Sequence, residues 1–82
     1  METIARTPLQ LGSYLREQRR KLGLTQEGLA AKAGVRQKTV SDLEQAGTAR
    51  LDTVLRIVAV LDLEIVLRAR TKSCAADIEA IF

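Results

Sequence analysis

Apolar residues follow a helical period through most of this chain and switch to strict alternation near its end. Thr7-Pro8-Leu9-Gln10 combines a capping hydroxyl, a proline at the first helical position and a glutamine at the third, which predicts a helix start. Leu11, Leu15 and Leu22 fall on one face of that helix with Tyr14 beside them, and Gly23 offers the left-handed conformation that ends it. Thr25 caps a second, short helix with Leu29, Ala30 and Ala33 inward and Gly34 as its stop. A third helix runs from about Arg36 to Gln45, with Val40 and Leu43 on its buried side and Arg36, Gln37, Lys38, Ser41 and Asp42 elsewhere. After a loop over residues 45–50, in which Thr48 is a candidate cap, Leu51, Val54, Leu55, Val58 and Leu61 define a fourth amphipathic helix.

Over residues 63–70 the period falls to two. Leu63, Ile65, Leu67 and Ala69 alternate with Glu64, Val66, Arg68 and Arg70, and the β-branched pair Ile65-Val66 favours a strand. A single strand has no partner in a helical chain, and an unpaired edge is a liability. The economical solution is pairing with the same strand of a second copy across a two-fold axis. The predicted layout is a flexible arm at 1–6, a helical domain at 7–62, a dimerisation strand at 63–70 and a tail at 71–82. The tail has one weak apolar cluster, Ile78, Ile81 and Phe82, around Asp77 and Glu79, and its composition reads as disordered when alone.

Composition narrows the class. With 82 residues there is room for one domain, which buries only about 60% of its unfolded surface. Hydrophobic residues make up 46% of the chain and aromatic ones 2%, so Leu, Val, Ile and Ala at helical spacing must build the core, in an all-α bundle. One cysteine, Cys74, and no histidine exclude an internal disulfide and a Cys/His zinc site, which leaves dimerisation as a means of burying more apolar surface. The same poverty, with no glycine-rich phosphate loop, argues against an enzyme and against any cofactor or metal. No apolar run reaches the roughly 18 residues of a membrane span and no signal-peptide core opens the chain, so a cytoplasmic location is expected. The net charge of +3 is modest, but it is unevenly spread. Residues 14–38 carry seven basic side chains against two acidic, and residues 51–82 carry four against five. The positive field belongs to the front half.

That half contains TQEGLAAKAGVRQKTVSDLEQ, residues 25–45. Two short helices meet there through a glycine turn, with small Ala30 at their crossing and Val35, Val40 and Leu43 at packing positions. This is the pattern of a DNA-binding helix-turn-helix, whose second helix enters the major groove. The residue types on the outward face suit that task. Arg makes bidentate contacts to guanine, Gln to adenine, and Lys reaches guanine acceptors or phosphate, each good bidentate pair giving roughly 1–3 kcal/mol of discrimination. The bland alternative is that these polar residues are simply a solvated helix face.

The run LGLTQEGLAAKAGV followed by TVSDLEQ resembles the lambda-repressor-like, or Xre-type, family over roughly residues 9–61. The resemblance implies a bundle of four to five helices acting as a dimer on a two-fold-symmetric operator. It assigns base readout to Arg36, Gln37 and Lys38, with Ser41 and Asp42 one turn further along. It assigns phosphate contacts to Gln26, Thr39 and Arg50, and to Arg20, for which simple solvation is the competing reading. The family pairs an arginine of the first helix with a glutamate at the end of the third, here Arg19 and Glu44, as a structural ion pair. Two residues depart from the pattern. Gly28 stands where relatives commonly carry Glu, at up to about 1 kcal/mol of helix propensity. Asp42 is repelled by phosphate unless it accepts from cytosine N4 or pairs with a neighbouring cation.

The order of parts, with LDLEIVLRAR following the fourth helix directly, is similar to the HipB-type antitoxins of HipBA modules. That resemblance implies an intersubunit β-lid built from Leu63, Ile65 and Leu67, repression of the protein's own operon, and binding of a HipA-type kinase toxin, with Ile81 and Phe82 as candidate toxin contacts. On this reading the protein is nucleoid-associated when bound to its operator. The alternatives are a stand-alone Xre-type regulator, or a protein-interaction adaptor whose basic face meets an acidic protein.

Overall fold

A computed structural model describes residues 3–70, so Cys74, Ile78, Ile81, Phe82 and the rest of the predicted tail lie outside the described residues. Thr7 accepts a hydrogen bond from the Gln10 N–H at 3.1 Å and opens α1 (Pro8–Lys21), with proline in its first turn where no amide donor is needed. Thr25 does the same for α2 (Gln26–Ala33), accepting from the Gly28 N–H at 2.9 Å, so α2 forms despite the glycine. The two remaining helices are α3 (Gln37–Ala46) and α4 (Leu51–Val60).

Three of the four helices stop in one way. A residue in the left-handed region follows the helix, and the next amide reaches back five residues: Leu24 to the Arg19 carbonyl, Val35 to Ala30 and Leu63 to Val58, at 3.1, 3.0 and 3.0 Å. Gly34, at φ 71°, thereby turns the chain from α2 into α3. After α4 the left-handed position is held by Asp62, at φ 61°, whose short polar side chain tolerates it better than a branched one would.

The core is one cluster of Leu15, Leu29, Ala30, Ala33, Val40, Leu43, Val54, Ile57, Val58 and Leu61. α3 packs against both α1 and α2, and α4 closes the bundle against α2. The approach of α1 to α3 is set by glycine. A Cβ on Gly12 would fall well inside van der Waals contact distance of the Leu43 carbonyl oxygen, and one on Gly47 would overlap Pro8. Small residues thus let two backbones touch where side chains would hold them apart.

Several sequence expectations are corrected. Leu22 is 46% exposed: α1 ends at Lys21, and the turn at Gly23 carries the chain off the stripe that Leu11 and Leu15 begin. In α4 the buried stripe is Val54, Ile57, Val58 and Leu61, which includes Ile57 and excludes Leu51 and Leu55. Leu55 follows Val54 directly and is therefore turned about 100° away from it. Leu51 sits in the opening turn, at the margin of that stripe, and is 72% exposed. Thr48 is not the cap of α4. That position is Arg50, whose side chain makes no capping bond, and Arg36 likewise precedes α3 and does not lie within it. Separately from these corrections, no strand occurs among the described residues: a strand is defined by the neighbour it bonds to, and the expected neighbour of residues 63–70 is a second copy.

Replacing Gly12 by Ala is expected to lower the unfolding free energy by about 1–3 kcal/mol through overpacking. Thermal melts should register it as a fall in Tm of roughly 4–8 °C per kcal/mol. An unchanged Tm would mean that α1 and α3 can separate at no cost.

Candidate nucleic-acid interface

The site is assembled around two buried charges. Arg19 in the last turn of α1 is 9% exposed and Glu44 near the end of α3 is 5% exposed. The Arg19 guanidinium donates through Nε to Glu44 Oε2 at 2.6 Å and through Nη2 to Oε1 at 3.1 Å, a two-pronged pairing that matches the planar fork to the carboxylate. Its Nη1 donates to the Leu24 carbonyl at 2.8 Å, which ties in the turn between α1 and α2. Gln18 adds a bond from Nε2 to the Leu61 carbonyl at 3.2 Å, tethering α1 to the end of α4. Among the described residues no buried side-chain nitrogen or oxygen lacks a partner.

From this pair a chain of polar contacts runs to the surface. Gln26, first residue of α2, donates from Nε2 to Glu44 Oε1 at 3.2 Å. Its Oε1 accepts from Nε2 of Gln37, first residue of α3, at 3.5 Å. Gln26 is half-buried and Gln37 exposed, so the chain passes from core to solvent in two steps. Four of the candidate residues, Arg19, Glu44, Gln26 and Gln37, thus form one connected unit. The link from Gln26 back to Glu44 was not anticipated from sequence. Its only signal there is that a glutamine opens each of two consecutive helices.

The other candidates surround this unit unevenly. Arg36 and Lys38 flank Gln37 at the start of α3, both exposed, while Thr39, Ser41 and Asp42 are half-buried. Arg36 supplies no side-chain cap, its carbonyl accepts from the Thr39 N–H at 3.0 Å, and the positive end of the α3 dipole stands beside these side chains. Arg50 is exposed and lies 3.7 Å from Asp52, an ion pair whose side chains are 88% and 62% accessible and which contributes about 0–1 kcal/mol. Its guanidinium can exchange that partner for another anion at little cost. Arg20 is exposed in the last turn of α1, turned about 100° from buried Arg19. Among the described residues no cluster of His, Cys, Asp and Glu is placed to hold a metal ion, and no helix is long and apolar enough to cross a membrane.

Two short helices in a glycine-turned pair, presenting Arg, Gln and Lys at the start of the second, define a DNA-binding regulator of the helix-turn-helix class. A helix-turn-helix family model matches residues 15–67, and the chain belongs to that family, in its Xre-type, lambda-repressor-like branch. Within it the chain is HipB-like. It is 30% identical to the protein in a HipB–O4 20mer complex, over 85% of this chain and 100% of that one, with a TM-score of 0.78. It is also 30% identical to a chain in the HipA–HipB–O2–O3 complex, over 87% and 100%, with a TM-score of 0.77. The restriction-modification controller protein C.AhdI from Aeromonas hydrophila is 34% identical over 68% of this chain and 86% of that one, with a TM-score of 0.63. No curated protein matches.

Truncating Arg19 to Ala would leave Glu44 buried and uncompensated, which should cost about 3–5 kcal/mol in urea denaturation. The double replacement Arg19→Met with Glu44→Leu should recover most of that loss, because it removes both charges. A single variant as stable as the parent would show that the pair is not what holds α1 to α3.

Proposed function

We propose that this protein is the DNA-binding antitoxin of a HipBA-type toxin–antitoxin pair, binding operator DNA as a homodimer and binding a HipA-type kinase toxin. The observation that carries the reading is the match to HipB over 85–87% of this chain and all of that one, HipB being known in complexes with O4 and O2 20mers and with HipA. In the proposed complex Arg36, Gln37 and Lys38 read base edges, with Ser41 and Asp42 one turn deeper in the major groove. Gln26, Thr39, Arg50 and Arg20 hold phosphates and set the register, while Arg19 and Glu44 keep the two helices at a fixed angle.

The Gln26–Gln37 contact supports this division of labour. A base-reading amide must present its oxygen and nitrogen in one orientation, and a neighbour that accepts from its nitrogen restricts the rotamers available before DNA arrives. Pairing of residues 63–70 between copies, through Leu63, Ile65 and Leu67, sets the spacing of the two recognition helices on a two-fold operator. Ile81 and Phe82 are the candidate contacts to the toxin, and the setting is the cytoplasm, on the nucleoid when the operator is occupied. A second reading, a stand-alone Xre-type regulator, is favoured by the likeness to a controller protein that has a different genetic role.

Gel-shift titration against the promoter region of the protein's own operon tests the first reading. Specific binding should weaken with salt at a slope of about 0.9 per phosphate neutralised. Gln37→Ala should lose about 5–150-fold in operator affinity and relax the preference at one base position, while the fold persists. Unchanged preference would remove Gln37 from the reading set. Co-purification with the product of the neighbouring gene separates the two readings: recovery of a kinase-like protein favours the antitoxin, and its absence favours the stand-alone regulator.

A further inference from the structure

We infer that Glu44 is a positioning residue for base readout: its buried carboxylate fixes the direction of two successive side-chain amides and thereby commits Gln37 to adenine over guanine. The inference rests on the assignment of Gln37 to the reading face and says what decides its choice of base.

A glutamine amide has two ends of similar size and opposite character. Its oxygen accepts and its nitrogen donates, so an isolated glutamine at a surface can serve either way round by turning over. A carboxylate in an ion pair has no such freedom, because both of its oxygens only accept. Glu44 Oε2 accepts from Arg19 Nε at 2.6 Å, and Oε1 accepts from Arg19 Nη2 at 3.1 Å and from Gln26 Nε2 at 3.2 Å. Turned over, Gln26 would set its own oxygen against a buried carboxylate oxygen. Its Oε1 therefore points away from Glu44 and toward α3, where it accepts from Gln37 Nε2. At 3.5 Å that contact is too long to be strong. It still sets a direction, because a reversed Gln37 would oppose oxygen to oxygen.

With one N–H turned to Gln26, Gln37 has its Oε1 and its second N–H left for a base. In the major groove adenine offers the matching pair, the N6 donor and the N7 acceptor, whereas guanine offers two acceptors, N7 and O6. An amide oxygen held outward is repelled by guanine O6. To suit guanine, Gln37 has to turn over, and the chain of contacts from Glu44 opposes that turn. The choice of base thus originates at a buried residue near the far end of α3 from the side chain that makes it.

The test is a ratio of affinities for two duplexes that differ at one base pair, the pair whose preference Gln37→Ala relaxes, with adenine in one and guanine in the other. Any loss of folded protein lowers both affinities equally, so the ratio reports the reading alone. The amide introduced by Glu44→Gln can keep its oxygen on Arg19 and donate from its nitrogen to Gln26, which turns over both amides beyond it. The preference for adenine should then fall about tenfold. Arg19→Met with Glu44→Leu, which removes both buried charges together, frees Gln26 from its acceptor and should lower the ratio in the same direction. Equal weakening on both duplexes by Glu44→Gln, or the parent ratio retained by the double variant, would reduce Glu44 to a structural partner of Arg19 and overturn the inference while Gln37 keeps its reading role. A parent preference other than adenine at that pair would overturn it too. If Gln37→Ala relaxes no position, the reading role of Gln37 fails, and the inference with it.

Discussion

The close contact of α1 with α3 is the constraint on which the rest of this small domain depends. Gly12 brings the two backbones together, and beside it Arg19 and Glu44 are buried as a two-pronged ion pair. In so thin a core such a pair has a double character. Burying two charges carries a desolvation penalty that their attraction only partly offsets, so the pair adds little to stability compared with well-packed apolar residues. Its value is geometric. A guanidinium fork meets a carboxylate in few orientations, and here the same guanidinium also caps the Leu24 carbonyl in the turn that leads into α2. One arginine thereby fixes α1, the following turn and α3 relative to one another.

That fixity extends to the surface through Gln26 and Gln37. The candidate reading face stands at the start of α3, the end furthest along that helix from Glu44, yet Gln26 joins the two by spanning from the buried carboxylate to the first residue of α3. A helix-turn-helix relies on presenting side chains to a groove with little conformational freedom left to lose, since each rotamer-rich side chain ordered on binding costs about 0.5–1.5 kcal/mol. The polar chain from core to surface restrains one of the candidate side chains, Gln37. Arg36 and Lys38 stand outside it, exposed on either side of Gln37.

Much of the fold is legible in the chain because its signals are local. Threonine caps at Thr7 and Thr25, glycine stops at Gly23 and Gly34, and the apolar spacing of Leu29, Ala30, Ala33, Val40 and Leu43 each act within a turn or two. Errors cluster where periodicity alone had to choose a face. In α4 two overlapping apolar stripes compete. Ile57 and Val58 win over Leu51 and Leu55 because the inward face depends on where α2 lies, which no residue of α4 encodes. Leu22 continued the spacing of α1 on paper but fell beyond its end.

The sequence by itself determined the class of this protein: four helical segments, two of them opened by threonine caps, a glycine-turned pair of short helices, basic and amide side chains opening the second, and an alternating segment behind them. These are properties of near neighbours along the chain, where propensity and capping act over a few residues. Only the tertiary structure decided which leucines are covered and how closely α1 meets α3. It alone connected Gln26 to both Glu44 and Gln37, residues 18 and 11 positions away. Contacts at that separation depend on helix crossing and on side-chain reach in space, and neither is written in the spacing of residues along a strand of sequence.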